Sequence, residues 1–222
     1  MEQQVQPYDR CGAWVSSHSA YYEWAYAYRD AFEKTLHELL AEESRIRSEH
    51  QTDFEEASDL DAFVHYGSSG LHDLAHMYAT SSFIFACMAL EGFINNYGTV
   101  RLGEAFFKKN MERLGITEKL SVLILICLGI VLDKDDPLIV KTRSIFDERN
   151  RLVHPKTKEF DSENPAHGAY VHPKDVGLEK SLMDLECVID RLCELDPAIR
   201  MRSTFKKPNN GLHADADKAP RR

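Results

Sequence analysis

Apolar residues recur three and four positions apart along most of this chain, a spacing that places them on one face of an α-helix. The first such stretch covers residues 20–50, where glutamate and arginine separate the apolar positions. A weaker element over 53–66 ends at the glycines and serines of 67–70. Residues 71–97 are apolar or small on almost every side, and this pattern predicts the central, buried helix.

The helical pattern continues through the middle of the chain. Residues 101–115 indicate a basic helix, and the apolar segment 118–132 follows it. An acidic break over 133–136 then precedes Pro137. Because proline is favoured at the first position of a helix, we expect the next helix over 137–153.

The last third of the chain contains a predicted loop, a helix and a tail. Three prolines in residues 155–174 predict the loop. A regular stripe of leucine and isoleucine over 175–195 suits either an antiparallel bundle seam or a dimer contact. Residues 203–222 lack any apolar period, which is typical of a disordered tail.

These elements predict an all-α protein, an up-and-down helical bundle with an N-terminal helical extension. We expect the extension over 1–70, the bundle over 71–200 and the tail over 201–222. Composition agrees, because 22 leucines and 19 alanines outnumber 11 valines and 11 isoleucines. A chain of 222 residues accommodates one large domain but hardly two full ones.

The net charge of −9 is distributed unevenly along the chain. This distribution decides which nucleic-acid-binding functions the charge excludes. Residues 1–100 carry 5 basic and 16 acidic side chains, a net of −11. Residues 101–158 carry 12 basic and 8 acidic side chains, a net of +4, and residues 159–222 carry a net of −2. The average therefore excludes a broad, sequence-blind nucleic-acid binder but leaves room for a local phosphate site. The acidic segment either screens that site or serves a protein partner.

The sequence indicates a cytoplasmic protein. The start of the chain has no cationic region followed by an apolar run. The longest apolar run, Leu120–Leu132, is shorter than the ~20 residues that span a bilayer, so no membrane association is expected. The five cysteines form no Cys-x-x-Cys pair, and an odd number of cysteines suits a reducing compartment.

One group of polar residues stands out at the end of the helix predicted over 137–153. Arg149 and His154 lie five positions apart, and Asn150 lies one helical turn before His154. Pro155 disfavours helical backbone at His154, so the imidazole is expected where the helix stops. Arginine matches phosphate oxygens, and histidine transfers protons near neutral pH. The pair therefore suffices for RNA cleavage by 2′-OH attack without a metal. The alternative is a surface arginine and a histidine that stabilises the helix end.

The string 149–154, Arg-Asn-Arg-Leu-Val-His, resembles the Arg-x(4–6)-His motif of the HEPN superfamily. Residues 89–95, Ala-Leu-Glu-Gly-Phe-Ile-Asn, resemble the earlier core helix of that family with its embedded acidic residue. The resemblance implies a dimeric helical bundle with two Arg/His pairs in one cleft. Active members are metal-independent endoribonucleases of toxin–antitoxin, abortive-infection and phage-defence systems, and other members are inactive nucleotide-binding or scaffolding modules. Lys156 replaces the tyrosine that one subgroup carries two residues after the histidine.

The predicted site residues have three roles: catalysis by Arg149, His154 and Asn150, support by Glu91 and Asn95, and substrate binding by Arg151 and Lys156. Glu91 lies among apolar residues, where an unpaired carboxylate is costly, and Arg149 is the candidate partner. Such a pair either orients the arginine for catalysis or merely stabilises the bundle.

No metal and no cofactor is predicted. His72 and His76 have the i, i+4 spacing that chelates metals, but no third ligand is visible at a diagnostic distance. His167 and His172 lie in the predicted loop without nearby cysteines. We therefore favour surface or core roles for all four histidines.

The aromatic residues of the first helix have two interpretations. The set comprises Tyr21, Tyr22, Trp24, Tyr26 and Tyr28. These rings are either a stacking platform for bases or a packed helix interface, and we favour packing.

The leading functional hypothesis is a HEPN-type endoribonuclease that acts on RNA as a homodimer, with an antitoxin or defence-system protein as a further partner. The alternative is a catalytically inactive module for nucleotide or RNA binding, dimerisation or scaffolding.

Overall fold

The computed structural model describes residues 17–153 and 172–197, the side chains of 151–153 excepted. All regular structure in these residues is helical, which confirms the predicted all-α class. The elements are α1 (His18–His50), α2 (Ala57–Gly67), α3 (Ser69–Leu102), α4 (Glu104–Asn110), α5 (Ile116–Leu128), α6 (Pro137–Val153), a 3₁₀ turn (Pro173–Asp175) and α7 (Leu178–Leu195).

The two long helices, α1 and α3, form the most extensive packing in the protein. They are antiparallel, since early residues of α1 meet late residues of α3. His18 at the start of α1 packs on Phe93 in the later part of α3, with ring centroids 5.5 Å apart, whereas Glu43 meets His72 near the other end. Alanines along α3, including Ala75 and Ala79, are fully buried in this contact. Their small side chains allow the larger aromatic residues of α1 to pack closely.

The aromatic residues of α1 have packing roles. Tyr22 and Tyr26 are buried, and both hydroxyls donate to the Glu186 carboxylate of α7. Trp24 and Tyr28 pack on Phe85 of α3, with ring centroids 5.2 Å and 5.5 Å away. The structure therefore accounts for these rings by contacts within the chain.

Helix α3 is the central, buried helix that its sequence predicts, with α1, α5, α6 and α7 packed against it. The apolar stripe of α7 is buried inside this same chain, between α3 and α6. Of the two interpretations of that stripe, the bundle seam is the one realised. Because α1 also contributes to this shared core, the N-terminal helices are packed onto the bundle and not separate from it.

The helix predicted over 101–115 is wrong in its bounds. Helix α3 continues to Leu102, and Gly103 then adopts a φ of +82°, which strongly favours glycine and ends the helix. Only Glu104–Asn110 forms the following helix, α4.

By contrast, α6 covers Pro137–Val153 as predicted. Pro137 is at its first position, and the Asp136 carboxylate accepts the Leu138 N–H at 2.8 Å.

Gly98 allows the α4–α5 segment to approach α3 closely. A Cβ atom at this position would lie 2.4 Å from Cε2 of Phe107 and 3.0 Å from Leu123. Only a residue without a side chain therefore fits here without displacement of α4 or α5. Through this contact, Gly98 sets the position of α5 relative to α3.

Helix α3 is long and apolar enough to cross a membrane by length and composition, although half of its most apolar stretch is buried inside the fold. This is the behaviour of a core helix, and it is consistent with a soluble protein.

Candidate functional site

The last turn of α6 carries the described part of the predicted Arg/His motif. Arg149 is half-buried, Asn150 is exposed, and Arg149 Nη1 donates a hydrogen bond of 3.0 Å to Asn150 Oδ1. This bond restricts the guanidinium to the end of the helix. His154 and Lys156 lie outside the described residues, as does the side chain of Arg151.

Cys87 lies at the contact between α3 and this turn of α6. The thiol is 2% exposed and donates to the Ile145 carbonyl at a distance of 3.9 Å, one turn before Arg149. Burial raises the pKa of Cys87 to about 12, while Arg149 lowers it and Glu91 raises it. Both charged groups therefore act on the same thiol, although no ion pair joins Glu91 to Arg149 among the residues that the structure describes.

A buried lysine from α5 supplies the cation beside the predicted supporting residues. Lys119 is 4% exposed, and its Nζ donates to Asn95 Oδ1 at 2.8 Å. The ammonium lies 5.7 Å from the ring centroid of Phe107, within range of a cation–π contact. Burial lowers the pKa of Lys119, and the nearby carboxylates of Glu91 and Glu112 oppose that shift.

The structure thus places Glu91 within electrostatic range of Lys119 of α5 and near the thiol that Arg149 also influences. Asn95, predicted to support the same face, is held by Lys119. Sequence reasoning missed Lys119, whose only signal was a basic residue near the start of the apolar segment 118–132.

A second polar group lies toward the other end of α3. Glu43 of α1, His72 of α3 and His172, which precedes the 3₁₀ turn, bring their ligand atoms within 4.8 Å of one another. The sequence spacing indicated His76 as the neighbour of His72, whereas the structure adds Glu43 and His172. In the described part of the chain, this is the group of side chains suited to hold a metal ion.

In comparisons with known proteins, no protein-family model, curated protein or solved structure matches this chain.

Proposed function

We propose that this chain is a metal-independent endoribonuclease of the HEPN type, with its active site at the C-terminal end of α6. The observation that carries the proposal is the Arg149–Asn150 hydrogen bond in the last turn of α6, directly before the sequence that ends in His154. A permanently charged guanidinium and a histidine five positions later in the sequence are the minimal equipment for this reaction.

In the proposed reaction, His154 removes the proton of a ribose 2′-OH, and the oxygen attacks the adjacent phosphorus. The bond from phosphorus to the 5′-oxygen breaks, and that oxygen takes a proton from solvent water as it leaves. Arg149 stabilises the charge that develops on the phosphoryl oxygens, a contribution of about 10²–10³-fold when such a contact is preorganised. The products are a 2′,3′-cyclic phosphate and a 5′-hydroxyl end.

The proposal assigns positioning roles to the groups around Arg149. Asn150 holds the guanidinium through the 3.0 Å hydrogen bond. Glu91 and Asn95 stabilise the face of α3 beneath it, with Lys119 bound to Asn95. Arg151 and Lys156 add cationic side chains for substrate phosphates. The net charge of +4 over residues 101–158 supports an anionic substrate.

The proposed enzyme is a cytoplasmic homodimer controlled by an antitoxin or defence-system protein. Apolar side chains that remain exposed on α5 and after it support a subunit contact there. These are Leu125, Ile126, Ile130 and Val131, of which Val131 is 80% exposed. Large apolar side chains exposed close together in sequence support a protein–protein contact.

The direct test is cleavage of a mixed-sequence RNA by the full-length protein in EDTA, with analysis of the product ends by mass spectrometry. We expect wild type to produce cyclic-phosphate ends and His154→Ala and Arg149→Ala to lose at least about 100-fold in rate. Arg143→Ala, an exposed arginine earlier on the same helix, is the matched control and should retain activity. Equal rates for wild type and His154→Ala, or cleavage abolished by EDTA, would refute the proposed mechanism.

The exposed apolar surface after α5 favours one second candidate, a catalytically inactive dimerisation module. Light scattering of wild type and Val131→Asp measures this directly. A dimer that the substitution dissociates, together with no detectable RNA cleavage, would favour the module over the enzyme.

A further inference from the structure

Three separate elements converge on one carboxylate oxygen at the early end of α3. His72 Nε2 lies 2.8 Å from Glu43 Oε1, and His172 Nε2 lies 3.3 Å from the same oxygen. The ring centroids of the two histidines are 5.1 Å apart. Two imidazole nitrogens and a carboxylate oxygen therefore face a common point.

We propose that Glu43, His72 and His172 bind one divalent transition-metal ion of the zinc class. Two imidazoles and one carboxylate form a donor set that Zn²⁺ uses, with ligand bonds of about 2.0–2.2 Å. In a tetrahedral site with such bonds, ligand atoms lie about 3.4 Å apart. The observed separations of 2.8 Å and 3.3 Å, with all three atoms within 4.8 Å, require only small side-chain adjustments to reach that geometry.

The surroundings favour metal over an ordinary ion pair. His72 is 2% exposed, and its side chain is fixed between α1 and α3. A ligand whose side chain is already held in place loses little conformational freedom when the metal binds.

The hydrogen bonds of His172 define what must change on binding. Its Nδ1 accepts the Lys174 backbone N–H at 3.1 Å, so the ring proton is on Nε2, which donates to Glu43. Coordination through Nε2 moves that proton to Nδ1 and releases the Lys174 N–H. The Lys174 amide therefore responds directly to metal binding at this site.

This site is distinct from the proposed ribonuclease site and does not depend on it. His72 and Glu91 are both on α3, 19 positions apart, which corresponds to about 28 Å along a helix. A metal at the early end of α3 would join α1 and α3 to the chain entering α7. Its role in this proposal is to stabilise that junction, with the fourth position taken by water, since Glu43 and His172 retain 20% side-chain exposure.

The test uses the untagged full-length protein, stripped with chelator and dialysed against Zn²⁺ or Co²⁺. We expect one tightly bound ion per chain by elemental analysis, visible absorption bands of four-coordinate Co²⁺, and a higher melting temperature with Zn²⁺ than without it. In a ¹H–¹⁵N spectrum, Zn²⁺ should shift the Lys174 amide.

Substitution of the ligands distinguishes this site from the other histidines of the chain. Glu43→Gln and His172→Gln should each weaken binding by at least about 100-fold, and His72→Gln adds a third variant whose folding is checked by circular dichroism. His37→Gln, an exposed histidine earlier on α1, is the matched control and should bind as wild type does. No saturable binding by wild type, or unchanged affinity in Glu43→Gln and His172→Gln, would overturn the proposal.

Discussion

Replacement of Gly98 by alanine tests how closely α3 and the α4–α5 segment are packed. The new Cβ atom would lie 2.4 Å and 2.6 Å from two carbons of the Phe107 ring and 3.0 Å from Leu123. Normal contacts begin near 3.4 Å, so the ring has to move by about 1 Å. Phe107 is 4% exposed, which leaves it little free space for such a movement.

Two effects of opposite sign decide the outcome at Gly98. Alanine favours a helix interior over glycine by about 1 kcal/mol. Overpacking of a well-filled core costs about 1–3 kcal/mol, and the clash here involves two buried side chains. Because these contacts are so short, we take the upper part of that cost, about 2–3 kcal/mol. After subtraction of the helix-propensity gain, we expect Gly98→Ala to lower the free energy of unfolding by about 1–2 kcal/mol. For a chain of this size, the melting temperature should fall by roughly 2–8 °C.

The measurement is urea and thermal unfolding followed by circular dichroism, with Gly70→Ala as the matched control. Gly70 also lies in α3, but a Cβ atom there would have no neighbour within 4 Å, so alanine should stabilise by about 0.5 kcal/mol. In a Phe107→Leu background, the cost of Gly98→Ala should shrink, because the clashing ring is gone. A Gly98→Ala protein as stable as wild type, or an undiminished cost in the Phe107→Leu background, would refute the reasoning.

Three further substitutions and a thiol reaction test buried polar groups. Asp196→Ala should lower the free energy of unfolding, measured by urea denaturation, by about 3 kcal/mol. The substitution removes the charged partner of the Arg101 guanidinium, whose side chain is only 9% exposed. Burial raises the pKa of Tyr26, so above pH 10 this tyrosine ionises only in the unfolded chain and the stability of the protein should fall. Tyr26→Phe should make stability depend less steeply on pH in alkaline denaturation. Burial lowers the pKa of His18, so below pH 6.5 the unfolded chain binds a proton at this histidine before the folded chain does, and stability should fall. His18→Phe should make stability depend less steeply on pH in acid. Ellman's reagent should label the exposed thiol of Cys187 before the buried thiol of Cys87. Equal labelling rates at the two cysteines would contradict the burial of Cys87.

Helix positions were predictable wherever local signals determined them. Pro137 with an acidic residue before it marked the start of α6, and the apolar character of α3 marked it as the central helix. The error at 101–115 arose because a single glycine, Gly103, ends α3 through its left-handed backbone, whereas the basic pattern continues on both sides. Glycine alone does not reveal which φ it adopts.

The candidate sites were less predictable because their partners are distant in sequence. Lys119 binds Asn95 across 24 positions, and no local spacing indicates that bond. The Glu43–His172 contact spans 129 positions and depends on how α1, α3 and the 3₁₀ turn meet. Only a short motif within one helix, such as Arg149 with Asn150, was visible beforehand, because neighbouring residues on a helix face each other regardless of the rest of the fold.

The contacts of Tyr22 and Tyr26 with Glu186 affect the order in which the protein matures on the ribosome. The two tyrosines emerge early, but the carboxylate that accepts both hydroxyls is made about 160 residues later. At a synthesis rate of about 5–20 residues per second, Glu186 is added roughly 8–30 seconds after the two tyrosines. Until then, α1 can pair with α3 but keeps two phenolic groups without their native acceptor. A nascent chain halted before α7 should therefore remain protease-sensitive along α1, and release of the completed chain should protect it.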